Sequence, residues 1–478
     1  MSWAAKARQV EAELLTRIPE HKLRPRLEPT RRAVELMGDP QKSYRVVHIT
    51  GTNGKTSTTR MVERLLREMG LRTGRFTSPH LVRLNERMAL DGEPVSDERL
   101  FEVWADIAPV LEIVDAELEA VGDTKLTFFE ALAVLGFAVF ADAPVDVLVL
   151  EVGMGGEWDS TNVADGDVAV FTPISIDHAE RLGSTVAEIA KTKSGIIKPG
   201  AYVVSSPQDA EALEVLKAKS GSTADHFALF GTEFGASDVR VEAGGQRFNI
   251  KGLARDYEDL FIPLHGAHQV QNAAVAVAAV EAFVGGGNNP IADDVIRAAL
   301  ADVSSPGRLQ VIDREPLTIL DAAHNPGGAV TLAQALKENF GSPKAVGVLS
   351  MLGDKDAEHF FETLKGSFDR VVITQSSSPR AVHFEELENI AQRYFDRVET
   401  APNAKSALAL AKTYGLEAIV VAGSISLAGD VLKGDVSNKT FIGALDVAIC
   451  VSTVPRKCGD MKCFSMSPPH IAKGACVN

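Results

Sequence analysis

A short glycine-rich segment, GTNGKT from Gly51 to Thr56, lies between an apolar run and a helix-like run. Glycines let backbone N–H groups converge on phosphate oxygens, and the N-terminus of the following helix adds the positive end of its dipole. Lys55 is placed to reach terminal phosphates, and Thr56 or Ser57 to contact a phosphate or Mg²⁺. The strict pattern G-x-x-x-x-G-K-[ST] is not met, because Ile49 occupies its first glycine position. The segment predicts a shortened phosphate-binding loop; the alternative is a Gly-rich turn with a solvated lysine.

Kinases, GTPase switches and ATP-driven ligases all use such a loop. A GTPase needs an N-K-x-D motif to read the base, but the NK pair of this chain, Asn438–Lys439, continues as Thr-Phe. This observation counts against a switch.

Further polar residues follow apolar runs. Glu151 ends VDVLVLE and precedes glycines that leave space for Mg²⁺, with a capping acid as the alternative. Asp177 and His178 follow the next apolar run, and because Mg²⁺ prefers oxygen, chemistry alone favours an acid–base or structural role for His178. Lys193 lies in the lysine-rich AKTKSGIIK, where a solvated helix end is the alternative to an inward-pointing side chain.

The elements that position these residues alternate along the chain. The strand-like runs YRVVHIT, VDVLVLEVG and DVAVFTPIS alternate with helical patterns such as TSTTRMVERLLREMG and EALAVLGFAVFAD. Buried strands alternating with helices predict a mostly parallel sheet with ligand sites at the carboxyl ends of its strands.

The sequence pattern changes twice along the chain. Short, Gly-punctuated strands occupy residues 225–266, and a second α/β unit with the strands LTILDAA, AVGVLSM, RVVITQ and EAIVVAG follows the break SSPGRLQ. We therefore predict an α/β protein with an N-terminal P-loop ATPase-like domain over residues 1–304, a smaller Rossmann-like C-terminal domain over 305–432 and a tail over 433–478.

The length, composition and net charge of the chain limit the kinds of partner that it is expected to bind. A chain of 478 residues predicts two or three domains, and 45% hydrophobic with 24% charged residues is typical of a soluble globular protein. The formal net charge of -15 argues against nucleic acid or an anionic membrane as a partner. The apolar run ALAVLGFAVFA is shorter than the ~18–20 residues of a membrane span, and the charged N-terminus does not resemble a signal peptide. A cytoplasmic location is expected.

Ten segments occur in an order that is specific to one family. They are GTNGKTS, TSPHLVRLNERM, TFFEAL, LEVGMGG, ISIDHAERLGSTVAEIAKTKSGIIK, LHGAHQVQNA, SPGRLQ, LDAAHNPGGA, LSMLGDKD and VVAGSISLAG. From about residue 20 to about residue 432 the chain resembles folylpolyglutamate synthase/dihydrofolate synthase of the actinobacterial type, a branch of the Mur ligase superfamily.

The resemblance implies roles for particular residues. The ATP phosphates are expected on the loop residues Gly51, Thr52, Asn53, Gly54, Lys55, Thr56 and Ser57. Adenosine and phosphate contacts are expected from Asn272, Arg308 and Asp321. Two Mg²⁺ ions are expected on Ser78, Glu151, His178 and an N6-carboxylated Lys193. The incoming glutamate is expected near His324 and Ser424, and the pterin near Thr127, Phe128, Phe129 and Asp159. The catalytic residues implied are Lys55, Lys193, His178 and His324, while plain core packing is the alternative for the two phenylalanines.

The implied reaction is ATP-dependent ligation of L-glutamate to dihydropteroate, to a (tetrahydro)folate carrying glutamate, or to both, through an acyl phosphate. The resemblance further implies a monomer. The alternatives are a Mur-type ligase that adds an amino acid to a peptidoglycan precursor, and a nucleotide-dependent binding module without ligation.

Two features depart from the family pattern. Glu157 stands where the family has an arginine or a lysine, which reverses the local charge and puts a substrate contact there in doubt. The four cysteines, Cys450, Cys458, Cys463 and Cys476, all lie in the unmatched tail, without the C-x₂-C pair of a zinc site. We interpret the tail as an appendage outside the catalytic machinery.

Overall fold

The computed structural model describes residues 1–22, 24–177 and 179–436. His178, expected to bind a metal, and the cysteine-containing tail beyond residue 436 lie outside the described residues.

The first domain is built on an eight-stranded sheet with the strand order β4-β3-β2-β5-β1-β6-β7-β8. Its strands are β1 (Arg45–Thr50), β2 (Thr73–Phe76), β3 (Met88–Leu90), β4 (Glu93–Pro94), β5 (Val147–Glu151), β6 (Val168–Phe171), β7 (Tyr202–Ser205) and β8 (His226–Leu229). Strands β3 and β4 pair antiparallel at one edge, and the others pair parallel. The carboxyl ends of β1, β5 and β6 therefore meet at one edge of the sheet, as predicted.

Helices cover both faces of this sheet. They are α1 (Trp3–Leu15), α2 (Glu28–Leu36), α3 (Lys55–Glu68), α4 (Asp97–Ala120), α5 (Phe128–Asp142), α6 (Ala179–Leu182), α7 (Val186–Lys193), α8 (Ala210–Thr223), α9 (Ala267–Gly285) and α10 (Asp293–Ala301). Helical spacing predicts five apolar positions here, and α3 buries four of them, Met61, Val62, Leu65 and Leu66. The fifth, Met69, is exposed because the helix ends at Glu68. None of the helices in the described part of the chain has the length and apolar character needed to span a bilayer.

A three-stranded antiparallel sheet occupies the region of short strands. It consists of β9 (Gly235–Glu242), β10 (Gly245–Lys251) and β11 (Asp256–Ile262), in the order β11-β10-β9. Helix α9 is buried almost all round because it packs between this sheet and the main one. The helix places Asn272 beside the phosphate loop.

The C-terminal domain contains a six-stranded sheet in the order β12-β13-β17-β14-β15-β16, in which only β12 pairs antiparallel. Its strands are β12 (Gln310–Arg314), β13 (Leu317–Leu320), β14 (Ala345–Leu349), β15 (Arg370–Thr374), β16 (Val398–Ala401) and β17 (Ala418–Ala422). Its helices are α11 (Pro326–Glu338), α12 (Ala357–Leu364), α13 (Phe384–Ala391), α14 (Ala404–Thr413) and α15 (Ile425–Val436). The predicted α/β class, with a parallel-rich first sheet and a separate C-terminal α/β domain, is confirmed.

Strand β2 carries a charge into the core. Arg75 Nη1 lies 3.1 Å from Glu63 Oε2 on α3, and the two side chains are only 4% and 2% exposed. Thr73 Oγ1 donates to the other carboxylate oxygen at 2.7 Å. Burial lowers the pKa of Arg75 even though Glu63 opposes the shift. The arginine therefore depends on Glu63 for its charge balance.

We expect Glu63→Ala to lower the free energy of unfolding by about 3–5 kcal/mol, because it leaves a buried guanidinium unpaired. Denaturant unfolding measures the change. The matched control is Glu117→Ala, which breaks a pair with Arg32 whose side chains are 44% and 46% exposed, and which should leave stability nearly unchanged. Equally small losses in the two variants would contradict the assigned role of the buried pair.

Candidate active site

The phosphate loop joins β1 to α3 at the carboxyl edge of the main sheet. A Cβ at Gly51 would lie 1.9 Å from Thr172 Oγ1, so Thr172, the residue after β6, leaves no room for a side chain there. Gly54 has φ +89°, and a Cβ there would lie 2.9 Å from Asn272 Oδ1. The strand–loop–helix setting is the one predicted, and both glycines are required by close approach of their neighbours.

Lys55 folds back over this loop. Its Nζ donates to the carbonyl oxygens of Gly51 at 3.1 Å and Thr52 at 3.2 Å. Burial lowers the pKa of Lys55, opposed by Glu151 and Asp177. Among the described residues Lys55 forms no direct ion pair, so its charge is available to an anion on the loop.

An oxygen-rich cluster lies beside the lysine. Thr56 Oγ1 donates to both carboxylate oxygens of Glu151, at 2.9 and 3.1 Å. The backbone of Ser78 also hydrogen-bonds to this carboxylate, and burial raises its pKa while Lys55 opposes the shift. Thr56, Ser78 and Glu151 offer the oxygen donors that a hard cation such as Mg²⁺ prefers. The described residues contain no group of three or more His, Cys, Asp or Glu side chains arranged to hold a metal.

Lys193, the last residue of α7, points into the site. It is 3% exposed, and its Nζ donates to the carbonyl oxygen of Gly51 at 2.9 Å. Burial, followed by the charge of Lys55, lowers the pKa of Lys193 to about 7. The inward interpretation of this lysine is confirmed, whereas the solvated helix end describes the exposed Lys191.

Residues of α9 and the C-terminal domain lie around the loop. Asn272 Nδ2 donates to Gln269 at 3.2 Å while its Oδ1 faces Gly54. The carboxylate of Asp321 accepts hydrogen bonds from two backbone N–H groups, those of Leu309 at 2.8 Å and Ala323 at 2.7 Å. Burial raises the pKa of Asp321, and the charge of Arg308 opposes the shift. Arg308 also acts electrostatically on Lys55 and Glu151, so it belongs to the same cluster of charges.

The two α/β domains meet through polar side chains next to the loop. Asn325 Nδ2 donates to Asn53 at 3.2 Å and to Asp177 Oδ2 at 3.1 Å. Lys355 Nζ lies 3.0 Å from Asp177 Oδ1, with both side chains largely buried. The sequence assigned no role to Lys355, because nothing local marks a pair whose members are 178 positions apart.

His324 is held as a neutral imidazole. Its Nδ1 lies 2.8 Å from the carbonyl oxygen of Ala322, which fixes that nitrogen as the donor. Burial and the charge of Lys355 lower the pKa of His324 to about 3. At neutral pH the ring therefore has Nε2 free as a hydrogen-bond acceptor.

The residues expected near the pterin and the glutamate have local structural contacts. Thr127 caps α5, Ser424 accepts from Leu427 N at 3.0 Å within the first turn of α15, and Asp159 accepts from Thr161 and Met154.

Phe128 and Phe129 are buried in the hydrophobic core, as the packing alternative predicts. A Cβ at Gly153 would lie 2.3 Å from Phe129 Cζ, and Arg87 lies 5.3 Å over the ring of Phe128. Their contact with a substrate stays a prediction. Glu157 is exposed and has no ion pair among the described residues, while its backbone N–H donates to Thr192 O at 2.8 Å.

A parallel sheet that presents a phosphate loop, an adjacent carboxylate and a second α/β domain over the same edge defines a two-domain nucleotide-dependent enzyme. Known proteins identify the family. The Mur ligase middle domain matches residues 49–280, and the glutamate ligase domain of Mur ligases matches residues 307–425.

The chain is 43% identical over 444 residues to the dihydrofolate synthase/folylpolyglutamate synthase of Mycobacterium tuberculosis, covering 90% of this chain and 91% of the relative. It is 31% identical to the Bacillus subtilis enzyme of the same name, over 86% and 95% of the two chains. The chain therefore belongs to the Mur ligase family, in its folylpolyglutamate synthase branch, and is an ATP-dependent ligase.

Solved structures of folylpolyglutamate synthases support the same family membership. A Mycobacterium tuberculosis folylpolyglutamate synthase complexed with ADP and AMPPCP superposes with a TM-score of 0.86 at 42% identity, covering 90% of this chain and 98% of the other. The Thermotoga maritima folylpolyglutamate synthase gives a TM-score of 0.79 at 30% identity, covering 92% and 98%.

We expect Lys55→Ala to reduce ADP production by about 10³-fold or more, because it removes a charge that is free to meet the terminal phosphates. A coupled ADP assay measures the loss. Lys42→Ala, at a lysine that is 64% exposed and paired with Asp39, is the control and should behave as wild type. Near-normal turnover by a folded Lys55→Ala would contradict the assignment of the loop.

Proposed function

We propose that the protein joins L-glutamate to a pteroyl substrate, either dihydropteroate or a folate that already carries glutamate. The observation that carries the proposal is the cluster on the phosphate loop, where Lys55 forms no ion pair with any described residue and lies beside the Thr56–Glu151 oxygen donors. The names of the Mycobacterium tuberculosis and Bacillus subtilis relatives support the substrate class.

In the proposed reaction ATP activates the substrate carboxylate. A carboxylate oxygen attacks the γ-phosphorus, the bond to the bridging oxygen of ADP breaks, and an acyl phosphate forms. The neutral α-amine of glutamate then attacks the acyl carbon, loses a proton and expels phosphate. Lys55 and Arg308 oppose the negative charge that spreads over the transferring group.

Thr56, Ser78, Glu151 and His178 are the residues proposed to hold Mg²⁺. When bound, the metal would neutralise phosphate charge and orient the phosphoryl group. His324, with Nε2 free to accept a hydrogen bond, is proposed to orient the incoming amine.

Lys193 is proposed to be N6-carboxylated and to serve a second Mg²⁺. As an unmodified cation, a buried lysine beside Lys55 would oppose a metal ion at this position. Conversion to a carbamate replaces that positive charge with a negative one and supplies oxygen donors.

The remaining proposals concern the oligomeric state, the domain boundary and the cellular location. We propose that the active unit is a monomer, as the resemblance to the family implies. We place the domain boundary at residue 304, between α10 and β12, and propose that the enzyme acts in the cytoplasm, where ATP and L-glutamate are available.

The proposal is tested by measuring ADP release with glutamate plus dihydropteroate, and separately with glutamate plus tetrahydrofolate. We expect glutamate-dependent release with at least one of them, and transfer of one ¹⁸O from a labelled substrate carboxylate into the released phosphate. A nucleotide-linked peptidoglycan precursor is the comparison substrate. Turnover with that precursor alone would show the wrong substrate class, and release without ¹⁸O transfer would exclude the acyl phosphate.

Lys193→Ala should be nearly inactive and partly rescued by formate or acetate, which restore an anionic oxygen donor. Mass spectrometry of the intact protein in bicarbonate should show a carboxyl adduct that this variant lacks. Lys191→Ala, at an exposed lysine of the same helix, is the matched control and should retain both adduct and activity. Full activity of Lys193→Ala, or an adduct that persists in it, would contradict the proposed modification.

A further inference from the structure

Residues 303–309, which we call the domain linker, connect α10 to the second α/β domain and are held at both ends. At the N-terminal side, Ser305 Oγ lies 2.9 Å from Ser57 Oγ on α3, and both serines are buried. At the C-terminal side, Leu309 N–H donates to Asp321 Oδ2 at 2.8 Å. The linker is therefore attached to the phosphate-loop helix of one domain and to a buried carboxylate of the other.

The C-terminal attachment holds an unusual backbone conformation. Leu309 has φ +46°, in the left-handed region that a leucine rarely adopts, and it is 2% exposed. Such a conformation persists only where the surrounding structure determines it. Between the attachments, Arg308 N–H donates to Ser305 O at 3.2 Å, so the turn that begins at Ser305 carries Arg308.

A chain of buried amides connects the N-terminal attachment to the phosphate loop. Asn272 Oδ1 faces Gly54, and its Nδ2 donates to Gln269 Oε1 at 3.2 Å. Gln269 Nε2 donates to Ser57 Oγ at 3.4 Å. Ser57 Oγ and Ser305 Oγ form the next hydrogen bond, in which either hydroxyl can donate. The hydrogen bonds therefore run without a break from Asn272 to the linker.

We propose that Ser305 is a positioning residue: its hydroxyl ties the domain linker to the phosphate-loop helix, so that nucleotide on the loop fixes the linker and the direction of Arg308. The proposal rests on the placement of nucleotide on Gly51–Ser57 under the proposed function. Ser305 itself touches neither nucleotide nor substrate. Its effect is exerted through Ser57 on one side and through the turn to Arg308 on the other.

The test measures hydrogen exchange of the linker amides in the full-length protein, with and without saturating AMPPCP. In the wild type we expect the nucleotide analogue to slow exchange by about tenfold or more, because it orders the chain of hydrogen bonds that leads from Asn272 to Ser305. In Ser305→Ala the analogue should still bind, with Kd within about threefold, while the slowing falls below about twofold. The kcat should drop about tenfold with little change in the KM for ATP, because Arg308 is no longer aimed at the transferring group.

Two variants serve as controls. Ser304→Ala changes the exposed neighbouring serine and should match the wild type, while Ser305→Thr keeps a hydroxyl and should recover most of the slowing. Should Ser305→Ala fail to fold, Gln269→Leu breaks the same chain one step earlier and carries the same expectation.

Wild-type protection of the linker in folded Ser305→Ala would overturn the proposal. Complete loss of AMPPCP binding in that variant would overturn it too, since Ser305 would then belong to the nucleotide site itself. Failure of the proposed function would give a different result. Either the wild type would not bind AMPPCP, or its binding would not be weakened by Lys55→Ala.

Discussion

Two lysine amines share one carbonyl oxygen at the centre of the site. Lys55 Nζ and Lys193 Nζ lie 3.1 and 2.9 Å from the oxygen of Gly51. The charge of the half-buried Lys55 disfavours protonation of the buried Lys193. Burial, followed by this repulsion, lowers the pKa of Lys193 to about 7. The two amines also make the site favourable for negative charge, which a triphosphate, a carbamate or both would supply.

The backbone around this carbonyl is packed too tightly for other side chains. A Cβ at Gly156 would lie 2.7 Å from Lys193 O, and Thr50 Oγ1 donates to Gly155 O at 2.8 Å. The loop after β5 is thereby pressed between β1 and α7. Asp159 supports its far end by accepting from Met154 and Thr161, and burial raises the pKa of that carboxyl. The contacts that fix the lysines therefore continue as hydrogen bonds into the loop.

Periodicity predicted the elements whose apolar pattern is uninterrupted, such as α3 and β5 with Glu151 at its end. It did not predict β2, because Arg75 breaks the pattern and is compensated by Glu63, twelve positions away. The inward direction of Lys193 depends on packing against Gly51, which no local signal encodes. The pair Asp177–Lys355 arises only when the two domains come together, and the left-handed turn at Leu309 depends on Asp321, twelve positions away. What the sequence missed is therefore mostly charge compensation between distant segments.

The contacts between the two α/β domains differ in chemistry from one place to another. Around Leu81, next to Gly307 of the linker, apolar and backbone packing is close: a Cβ at Gly429 on α15 would lie 2.1 Å from Leu81 O, and Leu81 packs against the C-terminal core. Beside the phosphate loop the contacts between described residues are instead polar, with hydrogen bonds from Asn325 and an ion pair of Lys355. Close packing resists separation, whereas polar groups can exchange one another for water or an anion at modest net cost. The packed region around Leu81 therefore resists separation of the two domains more strongly than the polar region beside the phosphate loop does. Because Asn53 and Asp177 lie on the loops around the phosphate site, a nucleotide bound there would be next to the polar contacts between the domains and would change their electrostatic environment.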